Sequence, residues 1–295
     1  MALICVNPPL VEPVSMQELK DMLRMDQGDA SQDDVLTTLE VAARAWCETL
    51  TQRRFVQQTW ALMMDFFPGY IDMKLAGQKV SSPFVSGSNA VLVGIRYAIL
   101  LPYPPVQNLV AFVYQDANGA VADMTNGHPD APAEWNFVLD LQSQPARLTP
   151  LFGQMWPVAR VVVNAVQVNY KVGYATPMAV TTTSGADALT GGSFTQSNVG
   201  QPISIPGAGV LGGCLNTVIA SVDDSGAATM RDPALTGGEA TALLVTNGTP
   251  GHWELLKLAI KVLVNAWYVN RVPSFDAKAR DCVKAVLGPV MDLRL

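Results

Sequence analysis

The chain has 295 residues, 49% of them hydrophobic and only 15% charged, against ~25% charged in an average protein. Its net charge is −6 and it carries no basic arm or stripe, which argues against a protein that grips nucleic-acid phosphates. The apolar excess suits either a membrane protein or a subunit covered by neighbours. The best span, Trp253 to Val269, holds Glu254, Lys257 and Lys261, so the membrane is rejected and an oligomer is expected.

At the start, Met1-Ala-Leu-Ile-Cys-Val lacks the basic region of a signal peptide. Ser15-Met-Gln-Glu18 has the form of a capping box and predicts a short helix to about Met25, with Leu19, Met22 and Leu23 as its apolar stripe. Ser31 and the acidic Asp33-Asp34 predict the start of a second helix, about Asp33 to Arg53. Val35, Leu36, Leu39, Ala42, Ala43, Trp46, Cys47 and Leu50 fall on one face of it, and Arg53 and Arg54 suit its C-terminal dipole.

From Val56 to Tyr174 the pattern becomes strand-like. Strands are expected at Gln58 to Met64, Val91 to Leu101 and Leu109 to Tyr114, the last followed by a hairpin turn ending at Gly119. Arg160 to Tyr170 is apolar on both faces for half its length, which predicts a strand covered on both sides. Pro102, Pro104 and Pro105 suit an edge or an extended connector.

Between Thr176 and Pro250 the composition changes. The stretch has no lysine, one arginine (Arg231), five acidic residues and twelve of the 23 glycines. Short β-prone pieces at Gln201 to Ile205, Leu215 to Val222, Ala227 to Met230 and Ala242 to Val245 predict a small all-β module, with a sandwich expected. Its position suggests a host domain built from residues 1–175 and 250–295, with 176–249 inserted, and an α+β fold overall.

Pro250-Gly251 precedes a helix of about His252 to Arg271 whose polar stripe is narrow: Glu254, Lys257, Lys261 and Asn265. Trp253, Leu256, Ile260, Leu263, Trp267 and Tyr268 make it apolar on several sides, so these six are the candidate subunit interface. A last helix, about Phe275 to Leu287, is expected to stop at Gly288-Pro289.

Sites of chemistry are scarce. Gly207-Ala-Gly209-Val-Leu-Gly212 has the spacing of a dinucleotide cradle, but Pro206 precedes it and β-branched residues follow, so it reads as a glycine-rich turn. Asp223-Asp-Ser-Gly226 reads as a hairpin tip rather than a calcium loop. His128 and His252 are far apart, and Asp130 with Glu134 reads as a solvated loop rather than an acid/base pair. The cysteines Cys5, Cys47, Cys214 and Cys282 are spread along the chain and read as reduced, buried small hydrophobes. No catalytic, metal or cofactor site is expected, and no enzyme.

Taken in order, a series of motifs resembles the head–tail connector (adaptor) proteins of tailed bacteriophages. The carrying segments are Ser15-Met-Gln-Glu-Leu-Lys20 with Leu23, Trp46 to Phe55, Gln58-Thr-Trp60, Asp65-Phe-Phe-Pro68 and Leu101-Pro-Tyr-Pro-Pro-Val106. Val113 to Gly119, Pro145-Ala-Arg-Leu148, Gly153 to Pro157, Val168 to Tyr174 and Ala266 to Arg271 complete the series. Two departures stand out: Ile71 to Ile99 is long for the family, and Thr176 to Pro250 falls where the family passes straight to its last long helix. Ser193 to Gly209 is similar to small β repeats of phage tail and spike proteins.

The resemblance implies a virion protein at the head–tail junction, assembled in the host bacterial cytoplasm. It implies a homo-oligomeric ring of about twelve copies between the portal protein and tail, tail-terminator or nozzle proteins, with DNA as non-specific cargo in its lumen. Lys278, Arg280, Lys284 and Arg294 form a local basic excess that serves equally as portal contact or as a solvated helix face. Tail fibres are candidate partners of the β module. The rival reading is a tail appendage or receptor-binding protein that works through that module.

Overall fold

The structure is a computed structural model describing residues 1–68, 97–125, 137–151, 154–246, 250–270 and 277–291. The chain divides into two compact units, one of Met1–Pro8 with Gln58–Val172 and one of Pro9–Gln57 with Gly173–Leu295.

The first unit is β-structure. Strands β1 (Ala2–Asn7), β2 (Gln58–Met64), β4 (Val106–Gln115), β5 (Val121–Asp123) and β8 (Val166–Val172) form an antiparallel sheet in the order β1-β2-β8-β4-β5. A second, antiparallel sheet has the order β3-β7-β6, from β3 (Ile99–Leu101), β6 (Phe137–Asp140) and β7 (Ala146–Pro150). β8 alternates buried and half-buried along its whole length, as a central strand with one core face should. Its inward residues Val166, Val168, Tyr170 and Val172 share a core with Leu62, Phe112, Leu101 and Leu148.

Strand β8 begins later than the sequence suggests. Val161 and Val163 are 78% and 79% exposed, and Asn164 turns the chain at φ 58, with its N–H bonded to Asp65 Oδ1 at 2.8 Å. The double-sided apolar run is therefore a turn followed by a strand. The N-terminal strand β1 was not foreseen. The expected β4–β5 hairpin is present, with Asp116 Oδ1 accepting from the Asn118 and Ala120 N–H groups.

The second unit combines helices with a barrel. Helix α1 (Met16–Leu23) opens on the expected capping box: Ser15 Oγ accepts from the Glu18 N–H at 3.3 Å and Glu18 Oε2 from the Ser15 N–H at 3.0 Å. Helix α2 (Asp33–Thr51) starts at Gln32 with no side-chain cap, so Ser31 does not fill that role. Its buried stripe holds Leu36, Ala43 and Cys47, whereas Val35 is exposed. Helix α3 (Pro250–Asn270) packs on α1, on α2 and on α4 (Ala277–Met291). α4 runs through Gly288 and Pro289 instead of stopping there.

Strands β9 (Ala175–Thr182), β10 (Ala188–Thr190), β11 (Pro202–Ile205), β12 (Leu215–Val222), β13 (Ala228–Met230) and β14 (Gly238–Val245) close into a six-stranded barrel, β10-β13-β12-β11-β14-β9. A closed barrel stands where a sandwich was expected. The sequence supplied the alternating strands but not the β9–β14 pairing of Ala175 with Val245 through Thr182 with Gly238 that closes them. Phe194, Ile203, Ile219, Leu189 and Leu244 fill the interior.

Candidate functional site

The six residues of the candidate subunit interface sit on α3. Trp253, Leu256, Ile260, Leu263 and Trp267 are all buried, and Tyr268 is half-buried against the same core. That core contains Leu36, Ala43, Cys47, Val283 and Leu287 of α2 and α4, so intrachain packing already covers this face. What remains open on α3 is a second apolar stripe, with Leu258 44% and Val269 68% exposed beside the half-buried Leu255 and Val262. The spacing 255, 258, 262, 269 keeps these four on one side of the helix.

Of the basic candidates, Lys278, Arg280 and Lys284 are exposed on α4, and Arg294 lies outside the described residues. Arg280 and Lys284 are one helical turn apart and share a face. Lys278, two positions before Arg280, falls on the opposite side. His128, Asp130 and Glu134 also lie outside the described residues. Gly207–Gly212 belongs to the connection between β11 and β12, which pair antiparallel from Pro202 with Val218 to Ile205 with Leu215. That connection holds only a three-residue 3-10 turn, Val210–Gly212, broken by Leu211 at φ 52, and not the α-helix N-terminus that a dinucleotide phosphate needs. Asp223 caps the β12–β13 hairpin, its Oδ1 accepting from the Ser225 and Ala227 N–H groups.

One electrostatic feature was misread in the sequence. Lys257, assigned to the polar stripe of α3, is 1% exposed. Its Nζ lies 2.8 Å from Glu18 Oε1 and donates to Asn216 Oδ1 at 3.0 Å. Lys261 Nζ reaches the same Glu18 oxygen at 3.0 Å, and Asn216 Nδ2 donates to it at 3.2 Å. One carboxylate thus caps α1 with one oxygen and ties α3 and β12 to α1 with the other. Burial alone would raise the Glu18 pKa. The charge and hydrogen bond of Lys257, the Ser15 N–H and the charge of Lys261 outweigh it and hold Glu18 at about 2.

A second ionic group lies along α2. Arg44 Nε donates to Glu12 at 2.6 Å and Nη1 to Glu48 at 3.1 Å, while Glu48 Oε1 accepts from the Phe55 N–H at 3.0 Å. Between the two groups, Glu40 is 4% exposed. Burial, reinforced by the nearby Glu12 charge, pushes its carboxyl up to about 8, against the opposing hydrogen bond from the Val14 backbone. Three carboxylates, Glu12, Glu18 and Glu40, line a 260 Å³ pocket with Ser204, Cys214 and Leu243.

The cysteines divide. Cys47 is buried, and burial pushes its thiol up to about 12; Cys214 is half-buried, Cys5 and Cys282 are exposed, and none of the four is in a disulfide. The expectation of four buried thiols is corrected for the two exposed positions. Among the described residues no group of three or more His, Cys, Asp or Glu could hold a metal ion, and no helix is long and apolar enough to cross a membrane.

No protein-family model matches the chain, and no curated protein is significantly similar to it. Among solved structures it is similar to a chain of the neck of an empty gene transfer agent (GTA) particle computed with C6 symmetry, at TM-score 0.39 and 20% identity, covering 59% of this chain and 72% of that one. The virion of a native GTA particle contains a chain similar at TM-score 0.37 and 18% identity, covering 59% of this chain and 72% of that chain. The neck of a native GTA particle computed with C12 symmetry gives TM-score 0.36 and 19% identity, covering 59% and 70%.

Proposed function

We propose that this protein is a structural head-to-tail adaptor of a tailed-phage-type particle, forming a ring in the neck that extends and seals the DNA channel. The observation that carries the reading is how the connector-like motifs pack. Gln58-Thr-Trp60 lies on β2 directly beside Tyr170-Lys-Val172 of β8, Trp60 opposite Tyr170. Val113-Tyr114 lies on the other side of β8, opposite Gln167 and Val166.

Tyr103 of the Leu-Pro-Tyr-Pro-Pro segment packs edge-on against Trp60 with ring centroids 4.7 Å apart, and Tyr170 Oη donates to the Pro102 carbonyl at 3.2 Å. In the second unit Arg53 of the Arg-Arg-Phe motif donates to Tyr174 Oη at 2.8 Å, and the Phe55 carbonyl accepts from the Tyr174 N–H. The motifs that carry the resemblance therefore specify each other's packing, which chance surface similarity would not require.

In this reading the ring contact falls on the open α3 stripe of Leu255, Leu258, Val262 and Val269 rather than on the buried Trp253 face, because a copy in this conformation can touch only accessible side chains. Portal contact is assigned to Arg280 and Lys284 with Lys278 and Arg294, and the barrel to a peripheral position facing tail or fibre proteins. An acidic chain lets DNA slide through a lumen rather than holding it. Mixing the purified protein with the portal protein of the same particle and imaging the product by electron microscopy tests the proposal. A closed ring seated on the portal is expected. Trimers that ignore the portal would instead support the appendage reading.

A further inference from the structure

We propose that Lys257 and Asn216 form an autocatalytic isopeptide bond within the second unit, the Lys257 amine displacing ammonia from the Asn216 side-chain amide with Glu18 as the proton relay. This chemistry is independent of assembly into a ring. Lys257 of α3 is 1% exposed, and lysine is almost never buried to that degree without a partner. Its Nζ lies 3.0 Å from Asn216 Oδ1 on β12, so the amine is held beside the amide it attacks. Glu18 Oε1 of α1 is 2.8 Å from that Nζ and also accepts from Asn216 Nδ2 at 3.2 Å. A single carboxylate oxygen therefore touches both the entering and the leaving nitrogen. At the other end of the amide, Ser204 Oγ of β11 donates to Asn216 Oδ1 at 2.6 Å. A buried ion pair needs only Lys257 and Glu18; it does not need an amide polarised at both its oxygen and its nitrogen.

The bond changes balance without an outside reagent. Loss of one proton to solvent makes the Lys257 amine nucleophilic, and its lone pair attacks Asn216 Cγ. Negative charge builds on Oδ1, where the Ser204 hydroxyl stabilises it. Glu18 takes a proton from the newly bonded nitrogen and passes it to Nδ2, and the Cγ–Nδ2 bond breaks. One C–N bond forms, one breaks, ammonia leaves and nothing is oxidised or reduced. Asn216 is an exposed residue, which gives ammonia a way out, whereas the burial of Lys257 keeps water from competing. The titratable groups around the amine are Glu18, Lys261 on the same helix, 3.0 Å from the same Glu18 oxygen, and the Cys214 thiol just before β12. Lysine amines are protonated near pH 7, and the Glu18 anion, held at about 2, favours that form, so the bond accumulates faster as pH rises. The product ties α3 to the barrel covalently.

The test incubates freshly purified full-length protein at pH 7 and at pH 8.5, folded and in urea. Intact mass spectrometry reads the bond as the loss of one ammonia. Tryptic mapping reads it as a branched peptide that joins Asn216 to Lys257 and is uncleaved after Lys257. Formation in the folded protein is expected to be about tenfold faster or more at the higher pH, and absent in urea. Asn216→Ala and Glu18→Gln are both expected to keep the full mass and a cleavable Lys257. Asn216→Ala changes an exposed position and keeps the Lys257–Glu18 pair, so the test stands even where Glu18→Gln fails to fold. A folded wild type whose Lys257 stays cleavable after days at pH 8.5, or an ammonia loss that maps to another asparagine, overturns the proposal.

Discussion

Replacing Glu18 with Gln tests the reading that one capping-box residue holds α1, α3 and the barrel together. The substitution keeps the shape and most of the N-terminal cap but removes the charge that faces Lys257 at 2.8 Å and Lys261 at 3.0 Å. Lys257 is then a buried cation with neutral partners, Asn216 Oδ1 at 3.0 Å and Ser204 Oγ at 3.5 Å. Breaking a buried pair in this way costs about 3–5 kcal/mol.

The titration of Glu18 gives a second route to the magnitude. Its fall from 4.5 to about 2 on folding corresponds to about 3 kcal/mol. Because the folded state binds its proton more weakly, this stability is complete above pH 4.5 and is lost as pH falls towards 2. Urea unfolding at several pH values, followed by hydrogen exchange of peptides covering residues 250–270, measures both effects. Wild type should lose about 3 kcal/mol more than Glu18→Gln between pH 5 and pH 2. Parallel pH profiles, with a difference under about 0.5 kcal/mol at pH 7, would refute the assignment of Glu18 as the ionic hub.

Glu40 should act with the opposite sign, since a folded pKa near 8 means that stability is lost as pH rises from 4.5 to 8. Glu40→Gln should therefore flatten that part of the profile and be the more stable protein at pH 8, as read by thermal melts at matched ionic strength. Gly173→Ala should cost about 3 kcal/mol or more, because φ is +134° and a Cβ would meet the Val56 carbonyl and Gln57 nitrogen at 2.6–2.7 Å. Chemical denaturation reads that loss, and a near-neutral result would contradict the close approach. Trp253→Phe should cost far less than Trp253→Ala, expected at about 3–5 kcal/mol, since the indole N–H has no partner among the described residues. Leu258→Glu combined with Val269→Glu should abolish self-assembly while leaving the melting temperature within a few degrees of wild type, as measured by mass photometry and calorimetry.

Local signals were legible where they depend on neighbours in sequence. The Ser15–Glu18 capping box, the Leu36, Ala43 and Cys47 centre of the α2 stripe and the turn at Asp116–Gly119 appear as expected, because each is specified within a few residues, whereas Val35 and Ala42 at the edge of that stripe are exposed. Tertiary choices were not. Lys257 sits in a polar helical stripe, and nothing nearby reveals that its counterion is Glu18 near the other end of the chain. The closing β9–β14 pairing joins Ala175 to Val245, seventy residues on, with the Thr176 and Thr246 hydroxyls 3.2 Å apart at its end, so strand patterning alone could not separate a barrel from a sandwich.

The apolar excess of α3 was visible in the sequence, but not which part of it the chain's own helices cover. Helices α2 and α4 take the tryptophan face and leave the Leu258–Val269 side open. Pro289 was read as a helix stop, yet α4 continues past it with Val290 buried in the core, where packing outweighs local propensity. The Glu40 pocket could be suspected from sequence only as an acidic residue at a position facing the core.

The central claim is that copies of this chain assemble into a ring that serves as the neck. Native mass spectrometry of the purified protein, alone and with portal protein, tests it most directly. The expected result is a discrete species of about twelve copies, formed or stabilised by portal and lost in the Leu258→Glu, Val269→Glu variant. A monomer or trimer of the 31.6 kDa chain that is indifferent to portal would contradict it.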